Sequence, residues 1–186
     1  MLIASFVVAV VALLLAGWAV LPILLGRPKL AVGFIDAPIA FIDVDPIAQM
    51  GPGSALGATV ANRSLPRIFG ILGVRRSTSA RLAARFDIVN AATGELVHQQ
   101  VRALFIDLPG APEGAPFSLL GSEDLAARVL LIGGSGQITF PDGSQRTLSQ
   151  GSYECVITVR ADDHNVEATA KRGFLVGPHG STWESA

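Results

Sequence analysis

From Leu2 to Leu25 the chain carries no charged side chain. A helix of that length, rising 1.5 Å per residue, reaches roughly 36 Å and exceeds the ~30 Å hydrocarbon core of a bilayer. The run therefore predicts a spanning helix over residues 1–26. A removable secretory signal would need a basic amino-terminal region, an apolar stretch of roughly 7–15 residues and short side chains at the cleavage point. Here no Lys or Arg precedes the run, the run is too long, and it closes on Trp18-Ala19-Val20-Leu21-Pro22, so the expectation is a retained anchor. Gly17 and Pro22 are tolerated in membrane helices. The alternative, a buried core helix, would require a soluble domain of this size to enclose a helix that is apolar on every face.

Arg27 and Lys29 lie just beyond the run, and basic residues close to a membrane are kept preferentially on the cytoplasmic side. The other flank carries only the α-amino group. The rule predicts a short translocated tail and a folded domain on the cytoplasmic face, with the periplasmic or extracellular face as the alternative. Asp36, Asp43 and Asp45 follow closely, and acidic residues contribute little to the rule.

Without the anchor about 160 residues remain, enough for one domain with its own core. The formal net charge of -1 argues against a nucleic-acid partner, which calls for a strong basic excess. Cys155 is the only cysteine, which excludes an intrachain disulfide and a cysteine-based zinc site. The charge is unevenly spread: Arg63, Arg67, Arg75, Arg76, Arg81 and Arg85 fall between Pro46 and Phe86, where no Asp or Glu occurs. Such a stretch can seat a protein against anionic lipid headgroups or an acidic partner. Alternatively the arginines lie on different strands and pair with acids from the second half.

Along the domain, residues 30–35 and 39–44 have strand character in an extended exit from the membrane, and 51–57 (GPGSALG) is a turn-rich connection. A short strand follows at 58–61. The apolar stretch 68–74 carries two glycines and is flanked by Arg67 and by Arg75-Arg76. It is either an interfacial loop dipping into headgroups or a buried strand with polar ends. Leu82, Ala84, Phe86 and Ile88 then alternate with Arg81, Ala83, Arg85 and Asp87, the period of a half-buried strand. A turn at 90–95 returns it as a partner strand over 96–108. A long loop at 109–124 leads to strands at 125–132 and 137–140. The last hairpin alternates Tyr153, Cys155, Ile157 and Val159 against Glu154, Val156, Thr158 and Arg160 before turning at 162–165 into 166–176. Roughly eight short strands predict an all-β sandwich of about 7–9 strands. The division is a helix at 1–26, linker and first strands at 27–57, the sandwich domain at 58–178 and a flexible tail at 179–186.

Within that class the run Leu148-Ser149-Gln150-Gly151-Ser152-Tyr153-Glu154-Cys155-Val156-Ile157 resembles the penultimate strand of immunoglobulin-like and fibronectin type III-like domains. There a Leu, a Gly and a Tyr precede an alternating strand, and the Tyr hydroxyl closes a corner. The resemblance implies an antiparallel sandwich in which Tyr153 is structural, and it brings no catalytic residues. Cys155 follows the Tyr by two residues as in antibody domains, but it has no partner cysteine and no strand-C Trp, which argues against a true antibody-type domain.

Phe-Ile-Asp recurs ahead of Pro38, Pro46 and Pro109, at irregular spacing; Asp and Pro end strands because Pro cannot donate to the ladder. His98, His164 and His179 lack metal-ligand spacing. Cys155, on an inward face, reads as a buried spectator. Asp36, Asp43 and Asp45, with Asp162 and Asp163, are the acidic clusters whose oxygens could meet a hard cation, and the Asp43-Val44-Asp45 pair lacks the glycine and terminal Glu of an EF-hand calcium loop. The glycine-rich runs 51–57 and 133–136 neither open a helix nor carry a phosphate-binding Lys. Asn62-Arg63-Ser64 matches a glycosylation acceptor, a short and common pattern.

The expected function is therefore non-enzymatic, without cofactor or metal. The chain reads as a single-span accessory or scaffold subunit docking on a larger integral membrane complex, of respiratory or photosynthetic type. The alternatives are a free-standing envelope binding module using its end loops, and a membrane-tethered enzyme of unrecognised type. Partners are integral membrane subunits and anionic lipid headgroups, with Trp18, Arg27, Lys29, Arg67, Phe69, Arg75 and Arg76 as the contact candidates.

Overall fold

The structure, a computed structural model, describes residues 2–39, 55–71, 76–106, 117–119, 126–140 and 142–185. In chain order its elements are α1 (Leu2–Leu25), β1 (Leu30–Ile39), β2 (Ala55–Asn62), α2 (Arg67–Ile71), β3 (Ser79–Asn90), β4 (Leu96–Arg102) and β5 (Leu104–Phe105). There follow β6 (Phe117–Leu119), β7 (Ala126–Ile132), β8 (Gln137–Thr139), β9 (Gln145–Thr147), β10 (Gly151–Ala161), β11 (Val166–Gly177) and β12 (Gly180–Trp183). The fold after α1 is predominantly antiparallel β.

One sheet runs β1-β2-β7-β5 and the other β12-β11-β10-β3-β4, with β6 beside the start of β3; β8 and β9 form a separate hairpin. Side chains of both larger sheets meet in one hydrophobic cluster: Leu56, Val60 and Val129 from the first, Phe86, Ile88, Ile157 and Phe174 from the second. The period-two patterns of β3 and β10 face it as the sequence predicts. Leu82, Ala84, Phe86 and Ile88 are buried, as are Tyr153, Cys155, Ile157 and Val159. The two strands pair with Ile157 opposite Phe86 and Cys155 opposite Ile88.

The return strand expected over 96–108 is divided. β4 pairs with β3 as far as Arg85 opposite Arg102, Ala103 donates its N–H to the Ala84 carbonyl at 2.9 Å, and Leu104–Phe105 then joins β7 in the other sheet. Gln100, at φ 54°, sits in a bulge of β4, between Val101 opposite Phe86 and His98 opposite Ile88. The end of the chain also departs from the expected tail. β12 pairs with β11, Gly177 opposite Gly180 and Phe174 opposite Trp183, and the Trp183 indole donates to the Ile35 carbonyl of β1 at 3.0 Å, tying the sheets together at one edge. Of the stretch 68–74, the described part is the short helix α2, with Ile68 and Ile71 exposed, and no buried strand. Residues 72–75, the 109–124 loop apart from 117–119, and Asp43 and Asp45 lie outside the described residues.

The backbone of α1 is helical for 24 residues, about 36 Å. Its described side chains from 5 to 20 are exposed on every face. That stretch spans only about 24 Å, and among the described residues no helix is long and apolar enough to cross a membrane.

Candidate functional site

Where α1 meets the sheets, hydrogen bonds from residues distant in the chain tie its carboxyl end to the domain. The last carbonyls of a helix have no intrahelical donor, and a cation beside them gains from the helix dipole. Arg76 stands at this end: its Nη1 donates to the carbonyl of Leu25, the last residue of α1, at 3.3 Å and to the carbonyl of Arg27, two residues past the helix, at 2.7 Å. The next residue adds a main-chain bond, Ser77 N–H to the Gly26 carbonyl at 2.6 Å.

Beneath this cap lies Asn62, the last residue of β2, with no exposed surface. Its Oδ1 accepts the Lys29 N–H at 3.0 Å, and its Nδ2 donates to the Ser77 carbonyl at 2.9 Å and the Leu119 carbonyl at 3.4 Å. One buried amide thus joins the start of β1, the strand after α2 and β6. A buried amide is tolerated only when its bonds are made, and this one uses both its oxygen and its nitrogen. Glycosylation at Nδ2 is incompatible with those bonds in the folded domain.

The contact candidates divide around this junction. Trp18 lies within α1, half exposed. Arg27 and Lys29 are exposed, and the Lys29 carbonyl accepts the Arg63 N–H at 2.9 Å, which brings exposed Arg63 beside them. Arg67 opens α2 and is exposed, Phe69 is half-buried, and Arg75 lies outside the described residues. Arg76 is turned onto the Leu25 and Arg27 carbonyls. Asn62 and Arg63 were not singled out as contacts by sequence; the signal available was only a polar pair at the end of a short strand.

Of the asymmetric arginines, none of Arg63, Arg67, Arg76, Arg81 and Arg85 is ion-paired with a carboxylate among the described residues. Arg85 donates to the Gln100 side chain at 3.0 Å. The acids instead meet other bases: Asp36 pairs with Arg172, Asp162 with Arg160, and Glu154 with Lys171.

The reactive-group candidates are spread apart. Burial pushes the Cys155 thiol far above its ordinary range, with Asp87 and Glu154 acting in the same direction, so the nucleophilic thiolate is suppressed. His98 is held below its ordinary value by burial and then by Arg146, and its ring stands edge-on to Phe140 at 5.4 Å. His164 lies 3.4 Å from the Asp163 carboxylate in an exposed turn. Among the described residues no three His, Cys, Asp or Glu side chains gather to hold a metal ion.

No protein-family model, no curated protein and no solved structure matches the chain.

Proposed function

We propose that the chain is a non-enzymatic, single-span membrane protein whose α1 lies in lipid and whose β-sandwich serves as an accessory or scaffold subunit of a larger integral complex, on the cytoplasmic face. The observation that carries this reading is the Arg76 cap. A helix with apolar side chains exposed all round needs an apolar surrounding, and this one is fastened at its carboxyl end to the domain, so that the domain follows the helix. The full helical backbone is long enough for a bilayer. Ser5, Ala9, Ala12, Ala16 and Ala19 fall within one narrow helical face, and small residues let membrane helices approach closely.

An immunoglobulin-like sandwich is supported by strand order. Lettered A, B, C, C′, D, E, F and G, strands β1, β2, β3, β4, β5, β7, β10 and β11 run A-B-E-D in one sheet and G-F-C-C′ in the other. Those are the sheets of that fold with a C′ edge. The Tyr153 hydroxyl donates to the Ser149 carbonyl at 3.0 Å, the corner bond such domains make at the start of strand F.

Gentle detergent extraction from the native membrane followed by native sizing tests the subunit role. Co-migration with a larger assembly is expected. A lone monomer under conditions that keep other membrane complexes intact would end the subunit reading and favour a free-standing module.

A further inference from the structure

We propose that Arg27, Lys29, Arg63 and Arg67 form a basic collar around the exit of α1 that binds the headgroups of anionic phospholipids. The inference rests on the reading that α1 lies in lipid. In sequence only Arg27 and Lys29 flank the helix. The fold adds Arg63, whose N–H to Lys29 carbonyl bond continues the β1–β2 ladder past Leu30 opposite Asn62, and Arg67 follows it four residues later in the chain, at the start of α2. All four are exposed, and none is ion-paired with a carboxylate among the described residues.

Arg76 is excluded from the collar because its guanidinium already serves the Leu25 and Arg27 carbonyls. The first acid along β1, Asp36, is six residues beyond Leu30, roughly 20 Å at 3.3 Å per residue, and is engaged by Arg172. The collar therefore presents unneutralised positive charge where the helix leaves the hydrocarbon, the depth at which phosphate groups sit. Beside it, Ile68 and Ile71 of α2 are 63% and 85% exposed, the pairing of basic and apolar side chains that suits the headgroup boundary. A net negative headgroup is the occupant this chemistry selects; a zwitterionic one offers the same phosphodiester without net charge.

The test uses the full chain reconstituted in phosphatidylcholine vesicles, with trace spin-labelled phosphatidylglycerol or phosphatidylcholine reporting the lipid held at the protein. The expected preference for the anionic lipid is about fivefold or more at low salt, the weight of a single basic side chain near such a surface. It falls to parity at ~1 M salt, where screening acts within about 3 Å, and in the R27Q/K29Q/R63Q/R67Q variant. An R81Q/R85Q variant, which removes two positive charges from the exposed face of β3, keeps the preference. Retention in neutral vesicles after an alkaline wash, without any anionic preference, overturns the collar alone; loss of the chain from neutral vesicles overturns the anchoring on which it rests. An equal fall in the R81Q/R85Q variant also overturns the collar, because the selectivity would then belong to overall charge.

Discussion

Arg76 Nη1 lies 2.7 Å from the carbonyl oxygen of Arg27, a contact between residues 49 apart in the chain that fixes the end of α1 against the sheets. The same Nη1 meets the carbonyl of Leu25, the last residue of α1, at 3.3 Å, and sets positive charge near the negative end of the helix dipole. Because that bond and the Ser77 to Gly26 bond come from the strand side, the helix leaves the domain in a defined direction.

Arg76→Gln removes the charge and the reach of the cap. The expected loss is about 1 kcal/mol, or about 2–4 °C in Tm for a domain of this size. The Ser77 amide exchanges faster with solvent, which hydrogen-exchange mass spectrometry reads directly. An unchanged Ser77 amide would separate the cap from the junction.

Asn62→Ala leaves the Lys29 N–H and the Ser77 and Leu119 carbonyls without their partner in a buried site. Orphaned buried groups and the cavity together cost about 2–4 kcal/mol, several times the effect of replacing exposed Arg63. Chemical denaturation of both variants, compared at equal m-value, gives the ratio.

Cys155 makes stability fall at high pH. Its folded-state pKa is raised by burial, while the unfolded thiol titrates at about 8.5. Below that value both states hold the proton and the group has no effect. Above it the unfolded chain releases its proton first, so stability drops with rising pH by up to about 1.4 kcal/mol per unit. Denaturant midpoints from pH 7 to 10 should fall more steeply in the wild type than in Cys155→Ala, and matching slopes would contradict the buried thiol.

Removing residues 179–186 tests whether the chain's end belongs to the core. The Trp183 ring lies tilted against Phe34 with centroids 4.7 Å apart, meets Phe174 edge-on at 6.0 Å, and donates to the Ile35 carbonyl. Truncation is expected to cost about 3 kcal/mol, in line with losing a large aromatic from a packed site. A truncated chain with unchanged thermal stability would return this segment to the status of a tail.

What the sequence made legible was local. The two-residue period of β3 and β10 names their inward faces, since a half-buried strand must alternate. The turns at 90–95 and 162–165 are announced by Asn, Asp and Gly. The crossing of the chain from β4 to β5 is not, because Val101-Arg102-Ala103-Leu104-Phe105 contains no turn residue. β12 was hidden for a similar reason: Gly180 to Trp183 is too short and too polar to read as a strand until Trp183 has Phe34 and Phe174 beside it. At the junction, Asn62 and Arg76 act on residues 15 to 57 positions away. Their roles depend on which strands are neighbours, and a one-dimensional pattern carries no such information.

In the proposed role α1 stays attached and lies in lipid while holding the domain. Alkaline carbonate washing of native membranes, followed by intact-mass measurement of the chain, addresses this directly. The expected result is a full-length chain in the membrane pellet. A chain recovered from the wash and beginning after residue 26 would contradict it.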